Sequence, residues 1–102
     1  MALTPEGRVK TEIRKYLKTL PLCWHFAPVS NGMGQAGIPD LLCVIEGRFV
    51  GIECKAPGKE SNTTANQDQA INSINEAGGL AFVASSLSTV KLVLLSEGFN
   101  IC

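Results

Sequence analysis

The sequence predicts an α/β fold, a mixed β-sheet flanked by helices in the order αβββαβα. Three observations carry that expectation. Two segments repeat apolar residues at helical spacing, two short apolar runs meet at Glu46-Gly47, and another apolar run follows the paired glycines Gly78-Gly79. At 102 residues, the chain is expected to form one domain, 1–102, with a single core.

Thr4-Pro5 reads as an N-cap followed by proline at the first helical position. Val9, Ile13, Tyr16, Leu17 and Leu20 then form one apolar stripe, and Pro21 ends the helix. The stretch LCWHFAPV at 22–29 is predicted as a strand, and SNGMGQAGIP at 30–39 as a glycine-rich loop. Hairpin strands follow at about 40–45 and 48–55. Leu41, Cys43 and Ile45 lie on one face and Leu42 and Val44 on the other, with Val50 and Ile52 opposite Phe49. Strands apolar on both faces are expected to be central and covered on both sides.

APGKESNTT is polar and rich in turn formers. Thr64 precedes a second helix carrying Gln67, Ala70, Ile71, Ile74 and Ala77 on one side, closed by Gly78-Gly79. A strand at 80–85 and a short helix at 87–98 complete the order, leaving FNIC as an apolar tail that either closes the core or contributes to a dimer.

Composition narrows the function classes. Net charge is zero, which argues against a strong non-specific nucleic-acid binder, yet residues 1–20 hold Arg8, Lys10, Arg14, Lys15 and Lys18 against Glu6 and Glu12. That segment reads either as a basic face or as an ordinary solvated one. No apolar run reaches the ~18 residues of a membrane span, and the first residues lack a signal-peptide core, so a cytoplasmic protein is expected. Cys23, Cys43, Cys54 and Cys102 contain no C-x-x-C pair; they read as small buried hydrophobes rather than zinc ligands or disulfides.

The hairpin carries charges at one end. With Glu46-Gly47 as a two-residue loop, paired residue numbers sum to 93, so Leu42 faces Gly51 and Asp40 faces Glu53. Lys55 projects from the same face as Glu53 because side chains alternate. Two carboxylates ~5 Å apart repel one another. Either Lys55 and Glu53 form a rim ion pair with Asp40 merely starting its strand, or a divalent cation relieves the repulsion; hard oxygen ligands suit Mg²⁺ or Mn²⁺. Glu6 lies about 30° from the centre of the first helix's stripe and Glu12 about 90° away, at ~100° per residue. Glu6 is therefore expected to point toward the sheet; the alternative is a glutamate favoured there by the helix dipole. Gln67 shares the apolar side of the second helix at its first turn, and Thr64-x-x-Gln67 is also a capping box.

GIPD at 37–40, IECK at 52–55 and TANQ at 64–67, in that order, resemble the PD-(D/E)XK nuclease superfamily. Together with TPEG, GMGQAGIPD and INEAGG, they resemble its virus-type replication-repair nuclease (VRR-NUC) family, in the compact stand-alone form carried by phages. The resemblance implies a restriction-endonuclease-like core. It implies that Asp40 and Glu53 hold Mg²⁺ or Mn²⁺, with the Cys54 backbone carbonyl as a further ligand. Glu6 would act through the metal's water shell or a second metal. Lys55 would orient or deprotonate the attacking water, and Gln67 would position Lys55 or that water. Cys54 departs from the aliphatic residue usual at its place, which matters little where only the carbonyl is used.

The expected function is metal-dependent hydrolysis of DNA phosphodiesters. By resemblance to stand-alone viral members, the expected substrate is a four-way (Holliday) junction and the expected assembly a homodimer. Alternatives are another structure-specific nuclease such as a flap nuclease, a catalytically silent nucleic-acid-binding module of the same fold, and a small-ligand-binding α/β protein. GMGQAG at 32–37 matches a dinucleotide fingerprint, but Ile38-Pro39 and a strand follow where a helix is required. His25 has no ligand partner at metal spacing, and Trp24 and Phe26 read as core rather than as stacking platforms.

Overall fold

The structure is a computed structural model, and the residues it describes are 3–29 and 36–101. The elements run α1 (Pro5–Leu17), β1 (Cys23–Phe26), β2 (Leu41–Ile45), β3 (Arg48–Cys54), α2 (Ala65–Glu76), β4 (Leu80–Ala84) and α3 (Leu87–Ser96). This is the expected order, with the helix of α1 stopping short of Pro21. The four strands form one mixed sheet, β1-β2-β3-β4, antiparallel except for the parallel pair β3–β4.

Local signals start and stop each helix. The Thr4 hydroxyl accepts from Gly7 N–H at 3.0 Å ahead of Pro5. At the end of α2, Gly78 adopts φ +99°, and the N–H groups of Gly78 and Gly79 return to the carbonyls of Asn75 and Ile74. That pattern satisfies the helix's last carbonyls and redirects the chain into β4. Gly98 and Phe99 repeat it on Leu95 and Leu94 at the end of α3. Phe99 and Ile101 then turn into the core, so the described part of the tail closes the core.

Glu46 (φ 50°) and Gly47 (φ 82°) both adopt left-handed backbone, the conformation of a type I′ hairpin turn. The register is the expected one, from Ile45 opposite Arg48 to Leu41 opposite Ile52. Period-two alternation then assigns the faces. Leu41, Cys43, Ile45, Val50, Ile52 and Cys54 lie beneath α1 and α3 and form the core with Val9, Ile13, Leu17, Val90 and Leu94.

The opposite face is only half covered, which corrects the expectation of strands buried on both sides. α2 packs over the β3–β4 half, with Gln67, Ala70, Ile71 and Ile74 half-buried. One helix ~10 Å across spans about two strands spaced ~4.8 Å apart, so a four-stranded sheet keeps an open half. Trp24 is 63% and Phe26 42% exposed there, with Val44 and Phe49 beside them. The reading of Trp24 and Phe26 as core residues is thereby overturned. Cys43 and Cys54 are buried as expected and Cys23 partly so, all as free thiols; Cys102 lies outside the described residues. No described helix is long and apolar enough to cross a membrane.

Candidate active site at the open end of the hairpin

The β2–β3 ladder ends at Leu41–Ile52, one step before Asp40 and Glu53. Continued by two residues, the register places Pro39 opposite Cys54. Proline has no N–H and cannot donate to the Cys54 carbonyl. The Asp40 carboxylate takes up the other half of that missing rung: its Oδ2 accepts from Cys54 N–H at 2.9 Å. Across the sheet, Lys55 N–H is held by the Ala84 carbonyl at 3.0 Å, so β4 fixes the strand from its other side. The Pro39-Asp40 pair thus ends the ladder, holds one carboxylate beside β3 and keeps ladder donors from β2 away from the Cys54 carbonyl.

Glu53 is the one buried charged residue among those described, 3% exposed. Its Oε2 accepts from Gln67 Nε2 at 3.0 Å and lies 3.5 Å from Lys55 Nζ. Burial, reinforced by the negative charge of Asp40, pushes its carboxyl up to about 7; Lys55 opposes that rise. The site therefore holds one carboxyl group whose ionised form lacks full compensation from the protein.

Gln67 joins the members together. Its Oε1 accepts from Lys55 Nζ at 3.2 Å and from Thr64 N–H at 3.0 Å, while Thr64 Oγ1 accepts from Gln67 N–H at 3.1 Å. The capping box and the site contact are one arrangement rather than alternatives. The neighbours fix the amide's orientation, since reversal would set its NH₂ against two donors. Gly37 (φ +83°) abuts this same helix start: a Cβ there would collide with the Asn66 carbonyl and stand 2.8 Å from Gln67 N. The glycine requirement is doubled at that residue. Sequence reading did not single it out, although its place just before the Ile-Pro-Asp run was a usable signal.

One solved structure, a VRR_NUC domain, superposes with a TM-score of 0.70 at 25% identity, covering 95% of this chain and 100% of that one. That likeness supports membership of the VRR-NUC family. No family model and no curated protein sequence matches it. The mixed sheet with flanking helices is the restriction-endonuclease-like fold expected of a VRR-NUC chain.

The structure brings Asp40, Glu53, Lys55 and Gln67 together on the α2 side of the sheet. Glu6 stands apart. It is exposed in the first turn of α1, and α1 packs on the opposite face. Its field reaches the Cys54 thiol, which burial first, then Asp40 and Glu53, push up to about 12. Among the described residues, no three His, Cys, Asp or Glu side chains gather as a metal-ligand set. Residues 32–36 of the GMGQAG motif lie largely outside the described residues, and His25 sits on β1 opposite Cys43, facing α1.

Proposed function

We propose that this VRR-NUC chain is a metal-dependent endonuclease that hydrolyses DNA phosphodiesters, with the four-way junction as its substrate. The observation that carries the reading is the pairing of buried Glu53 with Asp40 beside Lys55. A buried glutamate pushed up to about 7 by its environment and a second carboxylate gains most from a bound cation. Asp40, Glu53 and the Cys54 carbonyl form an all-oxygen donor set, as Mg²⁺ or Mn²⁺ requires, and two carboxylates leave positions for water or phosphate oxygens. When bound, such an ion acidifies a water and offsets charge developing on phosphate.

The chain's own groups have distinct tasks in this reading. Asp40 and Glu53 hold the cation, and Glu6 reaches it only through intervening water. Lys55, held between Glu53 and Gln67, would orient the attacking water through Nζ or, only as the neutral amine, take up its proton. Gln67 positions Lys55 and Glu53 from the rigid start of α2.

A homodimer suits the paired cuts of a symmetric junction. The open half of the sheet supports that assembly. Trp24 and Phe26 rings lie 5.3 Å apart, bordered by Leu22, Val44 and Phe49. Given the ~150–250 Å² carried by an aromatic side chain, their exposed fractions and those of the aliphatic neighbours leave on the order of 500 Å² of apolar surface. Two copies would bury on the order of 1,000 Å², the lower bound for a specific interface.

Incubation with end-labelled four-way junctions, flaps, single strands and linear duplex, in Mn²⁺, Mg²⁺ or EDTA, tests the reading. Symmetric nicks confined to junctions are expected. Metal-dependent cleavage of flaps or linear DNA instead would keep the chemistry and reassign the substrate. Binding without cleavage would favour the silent module.

A further inference from the structure

An acidic site on a chain of zero net charge must find its affinity for phosphate elsewhere. Five of the nine Lys and Arg residues fall between positions 8 and 18. The others are largely engaged: Arg48 pairs with Glu97 at 3.0 Å, Lys55 with Glu53, and Lys91 lies 5.1 Å from the centre of the Tyr16 ring.

The helical rows of α1 separate these charges. Val9, Ile13 and Leu17 form the buried row. On one flank, the row of Arg8, Glu12 and Tyr16 faces α3. On the other, Lys10, Arg14 and Lys18 follow one another at four-residue steps beside β1. Lys10 lies within electrostatic reach of the Cys54 thiol, on the α1 side of the end of β3. Arg14 and Lys18 lie within reach of His25, whose pKa is lowered by burial and by those two cations. Among the described residues, none of the three forms an ion pair with a carboxylate. The Arg14 Nε is buried without an acceptor.

We propose that Lys10, Arg14 and Lys18 form a track for the phosphodiester backbone of DNA, running along α1 from the end of β3 that carries Glu53. This inference rests on the nuclease reading and adds the surface that grips the substrate. At 1.5 Å rise per residue the cations are spaced ~6 Å apart along the axis, and the row runs ~12 Å. Flexible Lys side chains over a partly buried Arg can follow successive phosphates without reading sequence.

The test is fluorescence anisotropy with a labelled four-way junction and a linear duplex in EDTA, at NaCl from ~50 to ~200 mM. The proteins are wild type, the double variant Lys10→Gln/Lys18→Gln, the triple variant adding Arg14→Gln, and Lys15→Gln, which lies off the row. The double variant retains part-buried Arg14 and is checked for its fold by circular dichroism. It is expected to bind roughly tenfold more weakly at ~100 mM salt, with the slope of log K against log salt smaller by about two. The triple variant extends both changes, and Lys15→Gln stays within about twofold of wild type. Unchanged affinity and slope in the double and triple variants, while wild type binds and cleaves DNA, would overturn the track alone. A wild type that neither binds nor cleaves DNA would overturn the nuclease reading and the track with it.

Discussion

Gln67 holds Lys55 through the same oxygen that caps its own helix: Oε1 lies 3.2 Å from Lys55 Nζ and 3.0 Å from Thr64 N. Helix start and site geometry are thereby one structural unit. Replacing either half of the capping box separates their contributions. Thr64→Ala removes a cap and is expected to cost about 1 kcal/mol while leaving the Gln67–Glu53 bond in place. Gln67→Ala costs a similar amount, and it also frees Lys55 and Glu53. Its single-turnover cleavage should fall roughly ten- to a hundredfold. Urea denaturation and single-turnover rates on both variants give the comparison.

Gly37→Ala should be the most damaging glycine substitution near the site. It combines left-handed backbone with a collision against the Asn66 carbonyl, so a loss of about 3 kcal/mol is expected. Gly47→Ala also requires left-handed backbone, but nothing lies within 4 Å of its Cβ, and about 1 kcal/mol is expected. Chemical denaturation of the two proteins measures the difference.

Glu53 links stability to pH. Its carboxyl is raised from the ordinary 4.5 to about 7 by burial and by Asp40, so between those values the folded state binds more protons than the unfolded one. Stability in EDTA is therefore highest below about pH 4.5 as far as Glu53 contributes, and is lost as pH rises through about 7. Glu53→Gln should flatten that slope and raise the melting temperature at pH 8 in EDTA. Added Mn²⁺ should stabilise wild type more at pH 8 than at pH 5, because the cation takes the ionised carboxylate. Thermal melts at both pH values, with and without Mn²⁺, read the sign directly.

Trp24→Glu places a charge on the open half of the sheet. Since Trp24 is 63% exposed, monomer stability should change by only about 0.5 kcal/mol. On the proposed homodimer, the variant should nevertheless sediment and scatter light as a monomer, and wild type as a dimer.

Much of this arrangement was legible in the sequence, for identifiable reasons. Glu46-Gly47 fixes a two-residue turn, and the register it sets runs to Leu41 opposite Ile52, next to Asp40 and Glu53, with alternation putting Lys55 on the face of Glu53. Thr64-x-x-Gln67 and Gly78-Gly79 bounded α2 through local chemistry alone. Other features depend on what packs against what. Alternation in CWHF separates two faces of β1 but cannot say which one a helix covers, so the sequence reads Trp24 and Phe26 as core while both lie in the open. The angle of Glu6 within α1 locates it on that helix, yet not on which side of the sheet the helix lies. The join of Gly37 to Asn66 spans 29 residues and follows from tertiary packing alone.

We propose that Asp40, Glu53 and Lys55 form a metal-dependent phosphodiesterase site, a claim that one assay tests most directly. Wild type, Asp40→Ala and Lys55→Ala, each shown to be folded, are incubated with an end-labelled four-way junction in Mn²⁺ and in EDTA. Paired nicks by wild type in Mn²⁺ only, lost in both variants, are the predicted result. Cleavage by wild type that persists in EDTA, or in Asp40→Ala and Lys55→Ala, would contradict the claim.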